Sequence, residues 1–301
     1  MTNDTTNLSG ALRELGETMA RNLSTMGVTS TYDEGLSTLA SKILTIHLET
    51  SLSSDTDVLS YADSSSAVLT AKVLEAGSAL TGETVKFYKY VDGTNDVLLG
   101  SDVTDNNGEA SYTYASAGIG DFEVYAKVRG LESESCSIED CIYYNETEVT
   151  RTSTNGSTIY DNNLAVDLPS KCEISYDISS TNVSADSERR WFLLPKSQFS
   201  TSTTQPAYGL FFQIASSTGT FSGRENNVNL TGVNTGSISA DTVYTIKYVR
   251  DGTTLQEYFN NVLINTRTIT FLDNYTDWTL SMIRWSATGT TKLKNVKIKP
   301  L

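Results

Sequence analysis

The chain has 301 residues, 38% of them hydrophobic, and a formal charge of −14. That is enough apolar material for about two packed domains, with a third if one is small, and no stretch approaches the ~20 apolar residues of a membrane span. One histidine, His47, and three cysteines, Cys136, Cys141 and Cys172, leave little room for a nucleophilic triad, a multi-histidine metal centre or a disulfide framework.

The N-terminal segment, Met1 to Asn7, is polar and has no basic region followed by an apolar run. It does not read as a secretory signal. The expectation is a protein made in the cytoplasm that leaves the cell by another route, such as release within a particle. Charge is unevenly placed: −3 over residues 1–50, −11 over 51–140 and zero over 141–301. Such a balance repels polyphosphate, so no nucleic-acid partner is expected. The neutral C-terminal part suits an uncharged ligand such as a glycan.

Leu8, Leu12, Leu15 and Met19 step by four, three and four, and Leu23 and Met26 extend the stripe. After a break at Gly27 to Ser30, Leu36, Leu39, Ile43 and Ile46 form a second stripe. Each set lies on one narrow helical face. Helices this short cannot bury such stripes alone, so residues 1–50 are expected to assemble with copies of themselves, as a homo-oligomer with a trimer favoured. A helical hairpin capping the next domain is the alternative. The segments Leu12 to Glu17, Met26-Gly27-Val28 and Gly35 to Ala40 resemble N-terminal helical modules of phage tail-fibre and minor structural proteins. That resemblance implies docking to other virion structural proteins.

From about residue 51 the period becomes two. Leu69, Ala71 and Val73 alternate with polar neighbours, as do Val85 and Phe87, Tyr112 and Tyr114, and Phe122 and Val124. Turn signals at Asp92-Gly93 and Asn106-Asn107-Gly108 separate the runs, so residues 51–141 are expected to form a small antiparallel sandwich. The runs Leu80 to Tyr88, Leu99-Gly100, Thr104 to Ala110 and Gly120 to Ala126 resemble bacterial immunoglobulin-like repeats of invasin-type surface proteins and phage structural proteins. The resemblance implies a spacer. Asp102, Asp105 and Asp121 read as a solvated acidic face rather than a calcium site.

Residues 142–301 carry about a dozen strand candidates. They include Cys172 to Ile178, Arg190 to Leu194, Tyr208 to Ile214, Val243 to Val249, Leu255 to Ile264, Trp278 to Trp285 and Leu293 to Ile298. Arg250-Asp251-Gly252-Thr253 is a hairpin signal. This number suits a larger antiparallel jelly-roll β-sandwich. Tyr244 to Tyr248, the Asp251-Gly252 hairpin, Tyr258 to Ile264 and Val296 to Ile298 resemble the concanavalin-like lectin and laminin-G-like jelly rolls, with Asn261 where that family often has glycine. The expected fold class is therefore mainly β: a short helical N-terminal module, an immunoglobulin-like sandwich and a jelly roll.

Glycosidases on such folds carry Glu-x-Asp-x-x-Glu or a close variant on one strand, and no such string occurs. Its nearest approach is Glu173 and Asp177 with Ser175 between them. Four residues along a strand span about 13 Å, beyond the ~5–9.5 Å between paired carboxyls. The function expected is non-enzymatic: a virion receptor-binding or adhesive protein, acting at the virion surface, whose C-terminal domain recognises a cell-surface carbohydrate. A capsid-decoration or baseplate subunit without glycan binding is the alternative, and a polysaccharide hydrolase a further one. Trp285 and Trp191 are the expected stacking residues, with Arg189 and Arg190 as hydrogen-bonding partners. A core position is the alternative for each ring. No cofactor and no metal ligand set is expected.

Overall fold

A computed structural model describes residues 4–25, 31, 35, 38, 48–153, 158–163, 168–183, 188–199, 206–275, 278–285 and 289–301. The second expected helical stripe, Leu36, Leu39, Ile43 and Ile46, lies outside the described residues, as does the side chain of Leu8. Over the described residues the chain is mainly β, with an N-terminal helix and several sheets that form sandwiches. It divides into two compact units, one of 1–56, 67–114 and 122–138, the other of 57–66, 115–121 and 139–301.

In chain order, helix α1 (Asp4–Thr25) precedes β1 (Leu48–Ser54). Strand β1 therefore begins before residue 50. Leu12 and Leu15 are 45% and 52% exposed, so part of the predicted apolar stripe faces solvent. β2 (Val58–Ser60), β3 (Ser66–Glu75), β4 (Ser78–Ala79), β5 (Thr84–Lys89) and β6 (Val97–Val103) follow, then β7 (Glu109–Ala115), β8 (Gly120–Val128), β9 (Leu131–Glu132) and β10 (Cys136–Cys141). One sheet runs β1-β3-β4 with β7 on β3; another runs β2-β10-β8-β5-β6 with β9 on β8. Leu69, Ala71, Val73, Val85, Phe87 and Val124 are fully buried, as the period of two requires.

The Asn106-Asn107-Gly108 turn closes as its residue types dictate. Asp105 accepts hydrogen bonds from the amides of Asn107 and Glu109 at 2.8 and 2.9 Å. Gly108 sits at φ +75°, where a Cβ would lie 2.4 Å from the Val73 carbonyl oxygen, so only glycine fits.

The second unit contains β11 (Tyr143–Asn145), β12 (Val149–Ser153), β13 (Thr158–Asn163), β14 (Lys171–Ser180), β15 (Glu188–Pro195), β16 (Gly209–Ala215) and β17 (Thr218–Glu225). They are followed by β18 (Val228–Asn229), β19 (Val233–Ser237), β20 (Tyr244–Asp251), β21 (Thr254–Phe259), β22 (Val262–Thr268), β23 (Trp278–Trp285) and β24 (Gly289–Pro300). One sheet runs β11-β24-β14-β20-β21-β22 with β12 on β24, the other β13-β23-β15-β16-β17-β18 with β19 on β17. Ile174, Tyr176, Ile246 and Tyr248 of the first sheet share one core with Trp191 and Phe212 of the second. Phe221 meets Tyr248 edge-on across that core, ring centroids 5.7 Å apart.

The segment from Leu255 to Ile264 is two strands joined by a turn at Asn261, where the resemblance placed one. Asn260 and Asn261 lie at φ +48° and +63° and form the turn between β21 and β22, with Phe259 paired to Val262. Asparagine tolerates this left-handed region, so two of them replace the Asn-Gly of a two-residue hairpin.

Glu257 is a buried acid in this unit, fully enclosed and bonded to Arg267 and Asn265 at 2.7 Å each. Burial pushes its carboxyl above the usual range, while Arg267 and Asn265 pull the other way. The folded state therefore holds this proton more tightly than the unfolded chain. Stability from this group is greatest at low pH and is lost as pH rises from the ordinary carboxylate value through the raised one. Glu257→Gln is expected to remove that slope from a plot of urea midpoint against pH; an unchanged slope would contradict the assignment.

Candidate functional site

The outer face of the β11-β24-β14-β20-β21 sheet carries one cross-strand row. In register, Tyr144 pairs with Lys297, Lys297 with Ser175, Ser175 with Lys247, and Lys247 with Tyr258. Five strands at about 4.8 Å spacing place the two tyrosines roughly 19 Å apart. The Lys297 ammonium lies 5.2 Å from the Tyr144 ring centroid and that of Lys247 4.9 Å from Tyr258. Long side chains thus stand on both sides of a small serine. The result is a hollow of about 300 Å³ over Ser175.

Carboxylates line it along β14 and from β10. Glu173 meets Lys247 at 3.4 Å, and Glu139 meets Lys297 at 2.5 Å. Burial works to lower the Lys297 pKa, but the hydrogen bond and charge of Glu139 outweigh it and raise the value, so this lysine stays charged. Asp177 is held at both oxygens: Thr245 Oγ1 donates to Oδ1 and Asn295 Nδ2 to Oδ2, each at 2.7 Å.

Asn295 reaches Asp177 because of an irregularity in β24. Pairing with β14 slips between Ser175 and Asp177, and Asn295 stands at φ +52°. This β-bulge lets Leu293 and Val296, three residues apart, both enter the core, while Lys294 and Asn295 both stay on the outer side.

The residues singled out from sequence lie elsewhere. Trp191 and Arg189 are fully buried, which corrects the expectation that Trp191 stacks on a ligand and Arg189 bonds to it, and gives the ring its alternative core position. Trp191 lies on β15 in the core, its ring 6.4 Å from that of Phe212. The strand has apolar residues on both faces, so burial of the ring follows from packing on either side. Arg190 sits on the other sheet from the hollow, its guanidinium 4.9 Å from the Phe211 ring centroid and its Nε 2.5 Å from Glu188. Trp285 ends β23 opposite Glu188, and its side chain lies outside the described residues. Trp278 is core, its Nε1 donating to the Tyr275 carbonyl at 3.2 Å.

Glu173, Ser175 and Asp177, noted from sequence as the nearest approach to a carboxylate pair, are at the hollow. Their partners Tyr144, Thr245, Lys247, Asn295 and Lys297 were not singled out. The outward positions of Tyr144, Thr245, Lys247 and Lys297 follow from strand alternation and that of Asn295 from the bulge, but their meeting depends on register. The acids Asp102, Asp105 and Asp121 each serve separate donors: the Ser111 amide, the turn at Asn107, and Lys299.

Among the described residues no group of three or more His, Cys, Asp or Glu could hold a metal ion. EDTA is expected to leave the melting temperature unchanged; a shift of several degrees would reveal a bound cation.

No protein-family model matches the chain, and no curated protein matches its sequence. Solved structures do resemble it. The carbohydrate binding module CBM66 from Bacillus subtilis is 10% identical, over 52% of this chain and 93% of that one, with a TM-score of 0.34. The carbohydrate recognition domain of Emp46p in its potassium-bound form is 8% identical, over 51% and 87%, with a TM-score of 0.39. The Bacillus licheniformis β-glucanase is 15% identical, over 51% and 78%, with a TM-score of 0.35. Binding modules and a glycoside hydrolase thus stand together at low similarity. The functional reading rests on the hollow's own residues.

Proposed function

We propose that this chain is a non-enzymatic adhesive protein of a virus-tail type, whose second unit recognises a cell-surface glycan through the hollow over Ser175. The observation that carries the reading is Asp177. A carboxylate locked between Thr245 and Asn295 presents preorganised acceptor lone pairs beside hydroxyl and amide groups, and planar groups of this kind suit the hydroxyls of a sugar. Tyr144 and Tyr258 add ring surface at either end of the row.

Binding rather than hydrolysis is favoured by the carboxylates' partners. A glycosidase needs one carboxyl poised as proton donor to the leaving oxygen. Here Glu173 faces Lys247 and Asp177 accepts two hydrogen bonds, which suits anchoring. A glycan array and a cell-binding assay on the full chain test the proposal. Retention on defined glycans, without release of reducing sugar, is expected. Absence of binding to glycans and cells alike would leave the capsid or baseplate alternative.

The N-terminal helix supplies assembly in this reading, and docks to other virion proteins. Leu12 and Leu15 of the apolar stripe are about half exposed, and a second copy of α1 would cover them. Removing residues 1–47, which spares β1, is expected to lower the mass seen by light scattering to that of one chain. An unchanged mass after deletion would remove the assembly role.

A further inference from the structure

The hollow over Ser175 does not end at Asp177. A second hollow, of about 160 Å³, adjoins it and shares that residue. Ser179, Thr181, Lys292, Lys294 and Val243 line its far side. Along β14 the first hollow takes Glu173, Ser175 and Asp177, and the second continues from Asp177 to Ser179, with Thr181 just past the end of the strand. Eight residue steps of extended chain span about 26 Å. The bulge marks the junction: of its two neighbouring outward side chains, Asn295 lines the first hollow and Lys294 the second.

Most charges in the two parts are paired or offset. Glu139 pairs with Lys297 and Glu173 with Lys247 in the first, and Glu148 with Lys292 at 2.7 Å in the second, where Asp241 and Lys294 add one charge of each sign. A ligand carrying a carboxylate or sulfate on every unit would have to displace these pairs. A neutral hydroxylated chain would bond to them as they stand.

We infer that the two hollows are consecutive subsites of one groove, and that its ligand is an extended, uncharged oligosaccharide chain rather than a terminal sugar. The inference rests on the glycan reading above and adds its length and charge. Asp177 is then the central contact, shared by the units on either side of the junction.

The test is calorimetric titration of the full chain with cello-, malto- and chito-oligosaccharides of one to six units. Oligogalacturonides of the same lengths serve as the anionic comparison. Affinity for a neutral ladder is expected to rise roughly tenfold or more between one unit and four, as successive contacts act on one molecule. The galacturonide ladder is expected to bind at least about tenfold more weakly, each tenfold being about 1.4 kcal/mol. Val243 is 51% exposed at the second hollow, so Val243→Trp fills that hollow without disturbing the core. This variant is expected to reduce tetramer affinity to the level of the dimer and to leave short-chain affinity unchanged. A flat dependence on length, or a Val243→Trp variant that binds long chains as well as the parent, would overturn the groove while leaving sugar binding at Ser175 intact. Preference for galacturonides would overturn the charge assignment. Failure of every ladder, charged or neutral, would sink the glycan reading itself.

Discussion

Trp191→Ala is expected to cost about 3–5 kcal/mol of folding stability, the usual range for deleting a fully enclosed large aromatic side chain. The ring has no exposed surface and packs beside Phe212, within a core that also takes Leu193, Leu210 and Met282. Its removal leaves a cavity between two sheets, and sheets tied by in-register pairing on both sides of β15 cannot close over it cheaply. A denaturant titration of parent and variant reads the loss directly. At the hollow over Ser175, on the other sheet, the folded fraction of the variant should bind glycan as the parent does. A variant with parental stability and no binding would show that the ring faces ligand.

The strands were legible because one side of most of them faces water. Alternation fixes which residues of β3, β5, β14 and β20 turn inward, and each of Leu69, Val85, Ile174 and Ile246 is buried as that pattern demands. The same signal fails on β15. Trp191, Phe192, Leu193 and Leu194 are all buried, because Phe192 and Leu194 pack with Phe211 on the face opposite the core. A strand covered on both sides shows no alternation, and its tryptophan cannot be assigned to rim or interior from spacing alone.

The site was legible only along a single strand. Glu173, Ser175 and Asp177 share a face by simple period, so that much was visible. The rest of the row comes from β11, β20, β21 and β24, with Tyr144 and Lys297 more than 150 residues apart. Their meeting is a matter of register, which turns and core patterns set collectively. The bulge at Asn295 is harder still to foresee. Leu293 and Val296 are out of phase for one strand face, and only the left-handed Asn295 reconciles them. It also holds one of the two Asp177 carboxylate oxygens, Thr245 holding the other.

Ser175→Tyr is expected to abolish glycan binding, with a change in stability of no more than about 0.5 kcal/mol, typical of a surface substitution. Ser175 is partly exposed on the outer face of β14 and is the one small side chain in the row between Tyr144 and Tyr258. A phenol ring there would occupy the hollow of about 300 Å³ and stand between Lys247 and Lys297, where it can lie against both ammonium groups. Tyrosine also favours a half-buried pleated strand, so the backbone has no reason to resist it. Ser175→Ala is the companion: it keeps the hollow open and removes one hydroxyl, and should cost binding only about tenfold, the loss of a single hydrogen bond of about 1.4 kcal/mol. Binding and melting are measured on both variants. Parental binding by Ser175→Tyr would place the ligand elsewhere on the molecule, whereas loss of binding with a large fall in melting temperature would show that Ser175 supports the sheet rather than the ligand.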